Sequence, residues 1–422
     1  MRRRRWSACL WALAGGTLLL LLAKFFVADV YRVDSGSMRP TLCGGRERPD
    51  GEEESERVLV LYGRERPQRF DLVVVRSMDG SKPLVKRVCG VPGDQDLMIR
   101  GGDLFVGRRR LPSETPRPAP VPVYDDRYLS PEDFFEFRRD GSVQRAGAEW
   151  IVVGEAYPPG NLLHYHPELR DDYLDRRHRR VPGVIEVNDA RLELEFALEA
   201  PGPGQRLHFQ LSEEGDLFEA ELMLGPPAVL RLVRLNRHLL GDGGAPQEEP
   251  PGRELARTQV ELELEAGRFY DLEFSNIDNH LRVRSRALGL DLAQSYAGNE
   301  PLYGASDLRD PSVPQHMGAR VRFGVERGRA RFRAVRILRD LFYTEDGRFA
   351  VRARGRGQAR PGALPPDDTV SLGPDDYFLL GDNSAASTDS RHFGSRKASE
   401  LLGRPLAVVW PVPRWLRPVE AP

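Results

Sequence analysis

Two short segments of this chain hold groups suited to nucleophilic catalysis. Ser35-Gly36-Ser37-Met38-Arg39-Pro40-Thr41-Leu42 joins serine, glycine and proline in an order that specifies a tight turn exposing a hydroxyl. Leu84-Val85-Lys86-Arg87-Val88-Cys89-Gly90-Val91-Pro92-Gly93-Asp94 sets Lys86 inside an apolar strand pattern, beside Arg87. Successive strand residues face opposite ways, so these two cations point apart. Only four of the chain's 62 lysine and arginine residues are lysines: Lys24, Lys82, Lys86 and Lys397. Arginine covers almost every other need for positive charge, and it keeps its proton at accessible pH. Lysine releases its proton once burial or a neighbouring cation lowers its pKa from about 10.4. Lys86 therefore has what a general base or nucleophile requires. The alternative is a surface lysine whose stem lies along the strand while its head reaches water. An exposed serine with a deprotonatable lysine is a serine–lysine dyad.

Other chemistries fare worse on the same residues. Seven histidines (His164, His166, His178, His208, His238, His280, His316) lie far along the chain from Ser37 and Lys86. A histidine-based triad would need the eighth, His392, to reach Ser37. His164-x-His166 has no cysteine or carboxylate at ligand spacing, so neither metal nor cofactor is expected. Three cysteines (Cys9, Cys43, Cys89) cannot build a disulfide framework. Two buried free thiols are expected at Cys43 and Cys89, with a single bridge between them as the alternative. A formal charge of −1 argues against a broad footprint for nucleic acid.

The elements that must position the dyad begin at a membrane. Arg2 to Arg5 are consecutive arginines, and Trp6 to Ala23 is an uncharged run of 18 residues. Carried to Ala28, with Lys24 as its single charge, the segment spans roughly 35 Å as a helix, enough for a bilayer core of about 30 Å. The arginines predict a cytoplasmic N-terminus with everything beyond residue 28 outside. Lys24 then sits near the outer interface. A cleaved secretory signal is the competing reading; the run is long for one, and no small-x-small pair follows it cleanly.

Beyond the helix the chain is mainly β. Val58–Tyr62, Asp71–Val75, Leu84–Val88 and Leu97–Ile99 are short apolar runs bounded by glycine, proline or charge. Gly44–Glu56 is polar and acidic and is expected to be a solvated loop. Lys82, between Gly80 and Pro83, falls in a turn, and Lys397 on the surface. Pro112–Pro122 reads as an extended linker, and 123–182 shows no clean period. Alternation then dominates: Leu192, Leu194, Phe196 and Leu198; Val260, Leu262 and Leu264; Tyr270, Leu272 and Phe274; Val321, Phe323 and Val325. One buried and one wet face on many strands argues for a β-sandwich. Tyr377–Leu380 and Leu406–Trp410 return to short buried strands. The expected plan is a cytoplasmic tail (1–5), a transmembrane helix (6–28), a first catalytic piece (29–111), a linker and irregular region (112–184), an inserted sandwich (185–345), a linker (346–366) and a second catalytic piece (367–422).

Two further segments complete a pattern. They are Arg69-Phe70-Asp71-Leu72-Val73-Val74-Val75 and Tyr377-Phe378-Leu379-Leu380-Gly381-Asp382-Asn383-Ser384-Ala385-Ala386-Ser387-Thr388-Asp389-Ser390-Arg391. With the serine turn and the lysine strand, in this order after a membrane helix, they resemble bacterial type I signal peptidases over roughly 10–100 and 368–412. The resemblance implies a membrane-bound serine endopeptidase that removes signal peptides from exported preproteins after small residues. It implies a single-pass protein of the bacterial cytoplasmic membrane with its catalytic domain outside. By position, Ser37 matches the nucleophile and Lys86 the general base. Ser35 matches the serine that assists the oxyanion hole alongside the backbone N–H of Ser37. Ser387 matches the serine bonded to the lysine amine, Asp389 and Arg391 a supporting charged pair, and Asp382 the acid of Gly-Asp-Asn. On residue chemistry, Ser387 offers a small hydroxyl to a neutral amine, and Asp389 and Arg391 would share one strand face. The expected partners are preproteins and the lipid bilayer.

The sequence departs from the family in three places. Asp34 stands where proline is usual before Ser35, and puts a carboxylate close to the site. Ser384-Ala385-Ala386 is less charged than the common version. The insert is longer than usual; its strands resemble the laminin-G or concanavalin-like sandwiches, and its ligand is unknown. The rival reading is a membrane-tethered β-sandwich binding protein on an inactive peptidase scaffold. Intact Ser37, Lys86 and Ser387 weigh against it.

Overall fold

A computed structural model describes residues 27–45, 55–63, 66–77, 80, 82–107, 109–112, 115–135, 142–154, 162–213, 216–236, 252–296, 320–344 and 369–416. The expected membrane helix, with Lys24, lies outside these residues up to position 26. Where that helix was to end, Ala28 instead opens the strand Ala28–Arg32, which pairs antiparallel with Arg57–Leu61. Pairing of Asp29 with Val60 and of Val30 with Leu59 satisfies the backbone there. No helix among the described residues is long and apolar enough to cross a membrane.

The chain forms two compact units, one from residues 1–118 and 342–422, the other from 119–341. In the first, an antiparallel sheet runs in the order Ala28–Arg32, Arg57–Leu61, Leu401–Trp410, Leu72–Val75, Leu84–Gly90, Asp376–Leu380, Arg396–Lys397. The two chain ends interleave: Leu401–Trp410 lies between two N-terminal strands, and Asp376–Leu380 pairs with Leu84–Gly90. Six of the seven residues of Leu84–Gly90 are buried. One apolar cluster forms from Val33, Met38, Leu42, Val58, Val60, Val74, Val85 and Val408. A second forms from Val73, Val75, Val88, Tyr377 and Leu379. They pack the two faces of the apolar strand Leu72–Val75, Val74 in the first cluster and Val73 and Val75 in the second.

The second unit is a sandwich of an eight-stranded and a six-stranded sheet around one core. Leu192, Leu194, Phe196, Tyr270, Leu272 and Phe274 from one sheet share that core with Leu207, Phe209, Phe218 and Phe323 from the other. Period-2 alternation is explicit in Ala190–Leu198 and Tyr270–Ile277. The region 123–182, which has no clean period, contributes strands at Val121–Asp125, Val143–Ala146, Glu149–Gly154 and Leu163–Tyr165. These are short and join the edges of sheets built mainly by later strands, which is why no period of their own is visible. The alternation at Val260, Leu262 and Leu264 is not one strand: the strand Arg253–Val260 stops there. Leu262 and Leu264 still pack against the core.

Candidate active site

The serine segment folds as a single 3-10 turn, Gly36–Met38, entered from Ser35 in extended conformation. Met38 and Leu42 anchor it in the apolar cluster, and Leu42 N–H closes it on Met38 O at 2.9 Å. Glu56 ties the turn down. Its backbone O accepts from Val33 N–H at 2.8 Å, and its carboxylate accepts from Cys43 N–H at 2.8 Å and pairs with Arg414. Arg414 also donates to Thr41 O at 3.0 Å. Glu56 is thus fully buried, against the expectation of a solvated loop over Gly44–Glu56. It serves three backbone or charged donors around the turn, and this outweighs its desolvation. Residues 46–54 of that stretch lie outside the described residues.

Strand alternation sends Lys86 and Arg87 opposite ways. Lys86 Nζ donates to Ser37 Oγ at 2.8 Å and to Ser387 Oγ at 2.9 Å. Its side chain is 1% exposed. Burial lowers its pKa to about 8; Arg391 pushes the same way, while Asp389 and Asp382 oppose. The amine therefore holds its neutral form at mildly alkaline pH. Ser35 Oγ lies 3.1 Å from Ser37 Oγ, and Ser387 is fully buried. Gly381 is required between them, because a Cβ there would lie 2.2 Å from Ser387 Oγ and 2.5 Å from Ser37 O.

Arg87 turns to Asp382: Nε donates to Oδ1 at 2.7 Å and Nη2 to Oδ2 at 2.6 Å. Thr41 also donates to this carboxylate. Asn383 binds the serine turn twice, N–H to Ser37 O and Nδ2 to Gly36 O, both at 3.0 Å. Asp389 and Arg391 form a buried two-bond pair at 2.9 and 2.7 Å, but not on a strand. Asp389 is the N-cap of the short helix Ser390–Phe393, and its carboxylate also accepts from Gly381 N–H at 3.0 Å. A cap suits Asp389 because the helix start leaves backbone donors that a carboxylate satisfies. Burial would raise the Asp389 pKa, but Arg391 and His392 hold it well below the usual carboxylate range.

The structure thus brings Ser35, Ser37, Lys86, Ser387, Asp389, Arg391 and Asp382 together. His392 belongs to the Asp389 cap, with Nδ1 accepting from Asp389 N–H at 3.4 Å. Asp34 pairs with the exposed Lys82 at 2.9 Å and with Arg32 at 3.1 Å. The charges acting on Lys86 are Asp389, Arg391 and Asp382, and Asp34 is not among them. Cys43 and Cys89 are buried free thiols, with burial pushing Cys89 up to about 12. Sequence reasoning missed Glu56, Arg414, Thr41, Asn383, Ser384 and Thr344, whose roles depend on contacts across distant segments. Thr41, Asn383 and Ser384 stand inside the motif segments, while Glu56, Arg414 and Thr344 had no local signal.

A family model described as "Signal peptidase, peptidase S26" matches residues 5–135 and 344–410. Signal peptidase I of Streptococcus pneumoniae serotype 4 is 41% identical over 76 residues, 18% of this chain and 32% of that protein. The same protein from strain R6 gives the same figures. The chain thus spans about a third of the length of these curated relatives. Among solved structures, an alginate lyase from Pseudomonas aeruginosa is 16% identical with a TM-score of 0.27, over 48% of this chain and 88% of that one. Sheep galectin-11 is 12% identical with a TM-score of 0.22, over 36% and 94%. Likenesses this weak say nothing of what the sandwich binds. The family model and the partial match together support a signal peptidase family for this chain.

Proposed function

We propose that the chain is a membrane-tethered serine endopeptidase that removes signal peptides from exported preproteins. Neutral Lys86 takes the proton of Ser37 Oγ as that oxygen attacks the scissile carbonyl carbon. The oxyanion forms against Ser35 Oγ and the Ser37 N–H, a type of contact worth about 3–4 kcal/mol per donor. Lys86 then returns the proton to the leaving amine, and water hydrolyses the acyl-enzyme. Ser387 aims the amine, and the Asp389–Arg391 pair fixes the loop that carries Ser387. The observation that carries the reading is the 2.8 Å contact of a fully buried lysine amine with Ser37 Oγ.

Tethering is read from the uncharged run Trp6–Ala23. Ser37 is nine residues beyond Ala28, hence within roughly 30 Å of the bilayer, where a preprotein's cleavage site also emerges. Exposed Val27, Val30, Val409, Trp410, Val412 and Trp415 lie on or beside strands of one sheet and suit a lipid surface. On this reading the catalytic unit works outside the bacterial cytoplasmic membrane, on a single-pass anchor with a cytoplasmic N-terminus. The test is cleavage of a preprotein in detergent by wild type, Ser37→Ala and Lys86→Arg. Arginine keeps the charge and loses the base, so both variants are expected to be inactive. Full activity in Lys86→Arg overturns the dyad.

A further inference from the structure

The guanidinium of Arg391 is 1% exposed and has acceptors on every side. Asp389 takes Nε and Nη2, and Ser384 O takes Nη2 at 2.8 Å. Nη1 donates to Ser384 Oγ at 2.8 Å and to two atoms of one residue, Thr344 O and Thr344 Oγ1, each at 2.7 Å. Thr344 N–H in turn donates to Ser384 Oγ at 2.8 Å. Thr344 lies outside the four motifs. Its neighbour Tyr343 is bridged to Gly102, which holds the residue before Thr344.

We infer that Thr344 is a positioning residue for the Ser37–Lys86 pair, acting through Arg391; the inference rests on the dyad reading above. Two of the three acceptors of Nη1 belong to Thr344, its carbonyl and its hydroxyl, so removing the hydroxyl leaves the guanidinium less firmly set against Asp389. Asp389 holds Gly381 N–H, and Gly381 packs against Ser387 and Ser37. The chain of contacts from Thr344 thus ends on both partners of the lysine amine. It also carries charge. The groups facing Lys86 are Asp389 and Arg391 from the short helix and Asp382 from the loop after Asp376–Leu380. A loosened Arg391 leaves Asp389 less neutralised, and the lysine then keeps its proton to higher pH.

The test compares the full chain with Thr344→Val and Thr344→Ser in detergent, on a signal-peptide substrate, across pH 6–10. Valine keeps the shape and removes the hydroxyl. The expected result is an acid limb displaced upward by about half a unit and kcat lowered about threefold at neutral pH with KM unchanged. Thr344→Ser should restore both. Thr344→Ala, read in the same way, serves if the valine variant fails to fold. A Thr344→Val profile that superposes on wild type while Lys86→Arg is inactive overturns this inference alone. Retained activity in Lys86→Arg overturns the dyad reading and this inference with it.

Discussion

Arg87 and Asp382 face each other through two parallel hydrogen bonds of 2.7 and 2.6 Å, with side chains 6% and 0% exposed. The pair joins the lysine strand to the loop that follows Asp376–Leu380, next to the amine it does not touch. Removing one partner leaves an uncompensated buried charge, at a cost of about 3–5 kcal/mol. Asp382→Asn should therefore lower the denaturant midpoint strongly. Asp382→Asn with Arg87→Met should be less harmful than the sum of the singles, because the second change removes the stranded cation. Equilibrium unfolding of the four proteins checks this; strict additivity would sink the idea.

The pH dependence of cleavage should follow Lys86. Its folded pKa is about 8, and the reactive form is the neutral amine. Activity should fall about tenfold for each pH unit below that value and level off above it. The burial that lowers the pKa also destabilises the protein wherever the amine is charged. The unfolded lysine keeps its proton to higher pH than the folded one, so stability should rise as pH climbs from about 8 toward the unfolded value. Lys86→Met removes that dependence. It should be inactive yet unfold at least as high as wild type at neutral pH, in a thermal melt read beside the assay.

The two central strands were legible as continuous apolar runs, and the sandwich core because one-sided burial imposes a period that survives in one dimension. Lys86 was legible by contrast: a lysine in an apolar strand of an arginine-rich chain has few structural uses. Asp389 and Arg391 were paired as read, but their spacing of two was taken for a strand when Asp389 caps a helix. Both geometries bring such residues together, and the sequence carries no term that separates them. Glu56 was hidden for another reason. Its burial depends on Arg414 and Cys43, which lie 358 and 13 residues away, and a run of glutamates around it has the composition of solvent.

Gly381 offers a test of packing apart from charge. Its missing side chain lets Ser387 Oγ and Ser37 O approach to within 2.2 and 2.5 Å of where a Cβ would stand. No real Cβ tolerates this, so Gly381→Ala must displace Ser387, Ser37 or both from the lysine. A displacement of about 1 Å at a reacting centre can cost about 100-fold. The expected variant is folded by circular dichroism, with kcat down by about that factor. Near-wild-type turnover would show that the loop yields without moving either serine.

Trp410 and Trp415, 58% and 76% exposed, separate membrane attachment from chemistry. Arg414–Trp415 pairs with Leu401–Trp410, and Ala28–Arg32 joins the same sheet two strands away. The sheet edge that receives the chain from the uncharged N-terminal run thus lies in the sheet that displays both indoles. Neither indole touches the dyad, so Trp410→Ser with Trp415→Ser should leave cleavage of a short soluble peptide unchanged. Each buried indole contributes apolar area at about 25 cal/mol per Å², so in a chain begun at residue 27, without the uncharged run, their loss should weaken binding to vesicles. Cleavage of a preprotein inserted in those vesicles should then fall about tenfold or more, and recover when enzyme and substrate share a detergent micelle. Equal losses on the soluble peptide would place the tryptophans in the fold of the catalytic unit instead of on a lipid surface.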